Sequence, residues 1–145
     1  MKTKILKPTI TSENILGIIM RIQYETNSFP TDNFYNYLDG LLIPAIELNN
    51  VRIITDLNDC PVSYFIWGFL TETLHHALLK RESVRLDLDD WNGGDTLWVL
   101  DYRYPEGKPM VLVRNVLSSF EFDRIYVPVG SCVLMCDNKT VKRII

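Results

Sequence analysis

Asp89-Asp90-Trp91-Asn92-Gly93-Gly94-Asp95-Thr96-Leu97-Trp98-Val99-Leu100-Asp101-Tyr102 is the stretch whose reading decides the fold. A polar, glycine-bearing turn feeds an apolar run, and the run ends on a carboxylate between Leu100 and Tyr102. Side chains of a β-strand alternate faces with a period of two, so Leu97, Val99 and Asp101 are expected on one face. An aspartate on a buried face is costly unless it is partnered. Asp101 is therefore either a satisfied structural acid or a carboxylate held ready for chemistry.

Outward from that strand, the chain alternates helical and extended patterns. Ile15, Leu16, Ile18, Ile19 and Ile22 recur at helical spacing, which predicts a helix capped by Ser12 and running to Glu25. Asn27-Ser28-Phe29-Pro30 ends it, and Thr31 or Asp32 opens a second helix carrying Phe34, Tyr37, Leu38, Leu41 and Leu42. After the Asn49-Asn50 turn, Val51 to Asp56 and Val62 to Trp67 read as a hairpin closed by Leu57-Asn58-Asp59-Cys60-Pro61. Thr71 to about Lys80 reads as a third helix with Leu74 and Leu78 inward, and Leu97 to Tyr104 as the signature strand. Met110 to Phe120 is expected to be helical. Ile125–Val129 and Cys132–Met135 then form a closing hairpin over Gly130-Ser131. The pattern is that of an α/β domain, and residues 1–145 are expected to form a single one.

Composition narrows the function. The chain has 145 residues, 47% of them apolar, and a formal charge of −3. That balance suits a soluble globular protein and argues against a general nucleic-acid binder, which would show a clustered basic face. No uncharged apolar run approaches the roughly 20 residues that span a bilayer, so no membrane span is expected. The basic start Met1-Lys2-Thr3-Lys4 meets Pro8 before any hydrophobic core of a signal peptide. Cys60, Cys132 and Cys136 are odd in number and lack a CxxC spacing, which fits reduced thiols in the cytoplasm.

The motif W-N-G-G-D-x-L-W-V-L-D-Y, with Leu42-Ile43-Pro44-Ala45-Ile46, Ile53-Ile54-Thr55-Asp56 and Pro61-Val62-Ser63-Tyr64-Phe65-Ile66-Trp67 ahead of it, resembles the RTX toxin-activating lysine acyltransferases. The four elements stand in that family's order and at similar spacing, from about Asn14 to Tyr126. The resemblance implies a GNAT-like acyltransferase fold with a central, mostly antiparallel sheet flanked by helices. It implies transfer of a fatty acyl group from an acyl carrier protein thioester to a lysine of a protoxin or similar acceptor polypeptide. It implies no tightly bound cofactor, acyl carrier protein as donor and partner, and a possible homodimer. The aspartate that ends the family's strand maps to Asp101.

The family also uses a histidine, in an S-P-x-H-R-x-W element, where this chain has Ser28-Phe29-Pro30-Thr31-Asp32-Asn33-Phe34. Aligned on the prolines, Asp32 falls in the histidine slot. Asp32 is a candidate base if its surroundings raise its affinity for protons, and otherwise a helix N-cap. The alternative to an enzyme is a catalytically degenerate relative that binds a peptide, a toxin or a carrier protein.

Other residues admit two readings. Gly107 and Lys108, in Tyr104-Pro105-Glu106-Gly107-Lys108-Pro109 before a predicted helix, are candidates for holding a phosphopantetheine arm. Lys108 and Arg103 are candidates for a carrier protein's acidic surface, or are simply solvated. His75 and His76 point about 100° apart on a helix and cannot chelate one metal, and no metal site is expected. One of them is a half-buried helix histidine or a relocated base. Cys132 and Cys136 are core thiols or, less simply, nucleophiles. Trp67, Trp91 and Trp98 are core residues or walls of an acyl groove.

Overall fold

A computed structural model describes residues 3–5, 11–28, 33–103, 124–137 and 140–145. The chain groups into two compact units. One comprises Met1–Ile66 and Asp101–Lys108, the other Trp67–Leu100 and Pro109–Ile145. The order of elements is α/β, and every strand pair with a described register is antiparallel except one.

The first unit opens with β1 (Thr3–Ile5) and α1 (Ser12–Glu25). Ser12 is already helical, and the cap falls one residue earlier. Thr11 has the extended backbone a cap requires, and its side chain accepts from the Asn14 N–H at 3.4 Å. The apolar face of α1 buries Ile19 and Ile22, and with them Gln23, which is 0% exposed. The predicted second helix is a composite of α2 (Phe34–Tyr37), a wide π-type turn (Leu38–Leu42) and α3 (Ile43–Glu47). Pro44 accounts for the break. Lacking an N–H and clashing with the carbonyl one turn back, it cannot continue a regular ladder. The Ile43 N–H reaches back five residues to the Leu38 carbonyl. The expected helix start at Thr31 or Asp32 lies outside the described residues.

After α3, which packs against α1, Asn49 takes a left-handed conformation (φ 59°) and turns the chain into β2 (Val51–Asp56). β2 pairs antiparallel with β3 (Pro61–Leu70) from Val51↔Ile66 to Ile54↔Ser63, with a bulge at Ile54/Thr55. The turn is closed by the Asp56 carboxylate, which accepts from the N–H groups of Asn58 (2.8 Å) and Cys60 (3.0 Å). Within this unit the strand order is β1-β2-β3-β4, where β4 (Thr96–Arg103) contributes its last residues. The core holds Leu42, Ala45, Ile53, Ile54, Phe65 and Ile66.

The second unit takes the end of β3, then α4 (Glu72–Leu79), the start of β4, β5 (Ile125–Val129), β6 (Cys132–Cys136) and β7 (Val141–Arg143). Thr71 caps α4 as expected. Strand order here is β3-β4-β5-β6-β7, and β4 meets β5 in parallel at Trp98↔Tyr126. Leu70, Trp98, Tyr126 and Val133 form a cluster onto which Leu74, Leu78 and Leu79 of α4 pack. The signature turn is laced to β3. The Phe69 N–H donates to the Trp91 carbonyl at 2.8 Å, and the Gly94 N–H to the Phe69 carbonyl at 2.9 Å. Trp91 is fully buried beneath it. The short strands β1 and β7 carry too little pattern to be read from sequence. The expected helix Met110 to Phe120 lies outside the described residues, and among those residues no helix is long and apolar enough to cross a membrane.

Candidate active site

Asp101 lies near the end of β4, following the buried residues Leu97, Trp98 and Val99. Its side chain is 11% exposed. It meets three side-chain donors within the first unit. Tyr37 on α2 donates to Oδ2 at 2.5 Å, Tyr64 on β3 donates to the same oxygen at 3.1 Å, and Arg103 donates through Nη1 to Oδ1 at 2.8 Å. The backbone is therefore not what satisfies this carboxylate.

A fifth residue orders the cluster. Gln23 on α1 donates through Nε2 to Tyr37 Oη at 2.8 Å and to Tyr64 Oη at 3.0 Å. Counting hydrogens fixes the direction of this network. Each phenol has one hydrogen, and both hydrogens are within reach of Oδ2. Each phenol oxygen must then accept, and the Gln23 amide carries the two hydrogens needed. Burial, then the Asp101 charge, then the neighbouring phenol push Tyr37 well above the ordinary tyrosine value of 10. Burial and the Asp101 charge also raise Tyr64, against opposing effects of Tyr37, Gln23 and Arg103. Both phenols are thus neutral donors, not bases.

Arg103 is two residues beyond Asp101 and projects to the same face of the strand. Its side chain is 30% exposed, and Nη1 also donates to the Tyr102 carbonyl at 2.6 Å. The Ser63 hydroxyl donates to the Arg103 carbonyl, tying β3 to β4 at this point. Burial lowers the guanidinium, but Asp101 and the two phenols outweigh it, and the group is held above its ordinary value. The sequence left Arg103 as a contact for a carrier protein's acidic surface or as a solvated side chain; the structure pairs it with Asp101.

Asp32, Gly107 and Lys108 lie outside the described residues. Tyr37, Tyr64 and Gln23 were missed as site residues. For two of them, Gln23 and Tyr64, a signal existed. Gln23 interrupts an apolar helix face four residues after Ile19, and Tyr64 brings a hydroxyl into an apolar strand.

The second unit holds both histidines. His75 Nδ1 accepts from the Trp98 indole N–H at 3.0 Å, so the ring's own hydrogen sits on Nε2. Its ring lies edge-on to Tyr126 at 4.6 Å. Burial first, and then His76, lower His75 below 6.5, against the pull of Glu72. A neutral ring with Nδ1 committed is a structural acceptor, not a free base. The linkage sign follows. Above pH 6.5 His75 is neutral in both the folded and unfolded chain; below it the unfolded chain takes up the proton first, so stability is lost as pH falls. The urea midpoint of the wild type is expected to drop between pH 7 and pH 5 by more than that of His75→Gln, which keeps an acceptor without a titration. Superimposable profiles would show that this hydrogen bond contributes nothing.

Cys136 is fully buried in β6, and burial, followed by the Asp137 charge, pushes its thiol up to about 11, so it is a core thiol and not a nucleophile. Cys132 instead borders a cavity of about 240 Å³ in the second unit, walled by Leu78, Trp98, Leu100, Pro128 and Val133 with Arg81. Among the described residues no group of three or more His, Cys, Asp or Glu can hold a metal ion.

The first unit thus presents, at the end of the signature strand, a carboxylate held by two phenols and a guanidinium, a group able to hold or relay a proton. Comparison with known proteins makes this specific. The RTX toxin acyltransferase family matches residues 9–139, and the chain belongs to that family. It is 29% identical over 111 residues to the RTX-II toxin-activating lysine-acyltransferase of Actinobacillus pleuropneumoniae, covering 71% of this chain and 68% of the relative. It is 31% identical over 83 residues to a leukotoxin-activating lysine-acyltransferase of a Pasteurella haemolytica-like species, covering 57% and 49%. An uncharacterized protein of Synechocystis sp. matches over 138 residues at 26% identity, covering 92% and 90%. The chain thus spans 68% and 49% of the two toxin-activating relatives named here, and 90% of the Synechocystis protein.

Proposed function

We propose that this chain is a protein-lysine acyltransferase. It takes a fatty acyl group from an acyl carrier protein thioester and delivers it to the ε-amino group of a lysine in a protoxin or similar polypeptide. Family membership supports the reaction class. One structural observation carries the assignment to a site. The carboxylate of Asp101 accepts from two phenols at Oδ2 and from one guanidinium at Oδ1, so among the described residues one lone-pair direction on Oδ1 is left for an incoming amine. A lysine must shed its proton before it attacks a thioester carbonyl, and a positioned carboxylate is a route for that proton. The second unit, taken by itself, has a cavity bordered by Trp98 and Leu100 whose apolar surface suits an acyl segment. Free thiols at Cys60, Cys132 and Cys136 suit a reducing cytoplasm.

A second reading rests on the absence of any histidine in the unit that contains Asp101, since His75 and His76 both belong to the other. On that reading the chain binds a peptide, toxin or carrier protein without turning it over. Incubation with acyl-loaded carrier protein and lysine-containing candidate acceptors separates the two. Acylation adds one acyl mass to the acceptor and releases a free carrier thiol. Stable complex formation without any mass gain would leave the binding reading in place.

A further inference from the structure

We propose that Arg103 is the catalytic cation of this site, using its charge at Oδ1 of Asp101 to favour the free amine of the acceptor lysine and to stabilise the thioester oxyanion. The inference rests on the acyltransferase reading and adds to it the group that replaces imidazole chemistry. Four observations lead to Arg103. No histidine exists in this unit, so no imidazole there can serve as base. Tyr37 and Tyr64 are committed as donors to Oδ2, so among the described residues the less occupied oxygen of Asp101 is Oδ1, where Arg103 Nη1 lies at 2.8 Å. Arg103 is 30% exposed and Asp101 11%, so the pair reaches the surface. The Arg103 Nε is buried and has no hydrogen-bond partner among the described residues, so the protein does not use the full donor capacity of this guanidinium.

The chemistry follows from the charge. An ammonium arriving at Oδ1 meets a carboxylate that favours its protonated form and a guanidinium whose like charge offsets that pull, so the amine is not held charged. Suppression of a lysine's charge by a neighbouring cation is an established way of making an amine nucleophilic. The ε-ammonium passes one proton to Oδ1. The nitrogen lone pair then attacks the carbonyl carbon, forming the C–N bond and moving the carbonyl π pair onto oxygen. The guanidinium, always protonated, stabilises that oxyanion. The pair returns to re-form C=O as the C–S bond breaks. The departing thiolate takes the proton from Asp101, and the remaining excess proton on nitrogen goes to solvent. Gln23, Tyr37 and Tyr64 act through Asp101 as positioning residues, keeping Oδ2 occupied so that the amine meets Oδ1.

The test compares wild type, Arg103→Leu and Arg103→Lys in the carrier-protein assay across pH. Among the described residues the titratable and charged groups coupled to Asp101 are Tyr37, Tyr64, Tyr102 and Arg103, and of these only Arg103 is changed. Arg103→Leu should lose about 10²-fold in kcat. Its rate should rise to higher pH than the wild type's before levelling, because the acceptor amine is no longer discharged by a cation. Added guanidinium ion should restore part of the activity. Arg103→Lys, which keeps the charge and guards against a folding defect in the leucine variant, should retain more activity than Arg103→Leu and the wild-type pH profile. An active wild type whose Arg103→Leu variant matches it in rate and pH profile would overturn the role of Arg103 and leave the acyltransferase reading intact. A wild type that transfers no acyl group overturns both.

Discussion

Asp101→Asn is expected to lower acyl transfer by about 10³-fold, within the range a positioned proton acceptor contributes. Asparagine keeps the size of the side chain but cannot take a proton from an ammonium at neutral pH. It also breaks the hydrogen count. Of its two terminal groups only the carbonyl oxygen accepts, so it can satisfy the two phenols or Arg103, not both sets. Because Tyr64 is fully buried, some stability is lost as well, on the order of 1–3 kcal/mol for a disrupted charged hydrogen bond. The two effects are separable: urea unfolding measures the second, and the mass-gain assay run well below the unfolding midpoint measures the first. Transfer by Asp101→Asn at the wild-type rate would remove Asp101 from the reaction.

Gly94→Ala is expected to destabilise the fold by about 3 kcal/mol or more, the range of overpacking against an immovable neighbour. A Cβ at Gly94 would lie on the Leu70 carbonyl group and the Thr71 nitrogen, far inside the 3.0 Å limit of real contacts. Those atoms are backbone and cannot rotate away. Relief requires separating the signature turn from the end of β3, which breaks the Gly94–Phe69 and Phe69–Trp91 hydrogen bonds. Gly17 is the control. It is exposed within α1 and an added Cβ meets nothing within 4 Å, so Gly17→Ala should stabilise by about 0.5–1 kcal/mol. Urea midpoints for both variants check the pair, and equal small effects would show that the turn does not depend on this close approach.

Much of the fold was legible because local chemistry dictates it. The 3.6-residue spacing of Ile15, Ile19 and Ile22, the cap at Thr71, the turn chemistry of Asp56 to Cys60 and the Gly130-Ser131 turn act within a few residues of themselves. The placement of Ser12 as the cap missed by one position, because serine and threonine are equivalent in propensity and only the backbone angle of Thr11 separates them. The wide turn ahead of Pro44 was not read, although the proline is its evident cause.

The sequence by itself determined the family and the α/β order, and it singled out Asp101 as a candidate, since these rest on a motif and on periodicities carried along the chain. It did not determine what surrounds Asp101. Gln23, Tyr37 and Tyr64 lie 78, 64 and 37 residues before it in the chain, and each looked like an ordinary member of its own helix or strand. Arg103 is a local neighbour on the same strand, but only the tertiary fold brings two phenols to this carboxylate and a helix amide to the phenols. Hydrogen bonding is short-ranged and directional, so the roles of these groups exist only once folding has fixed their distances.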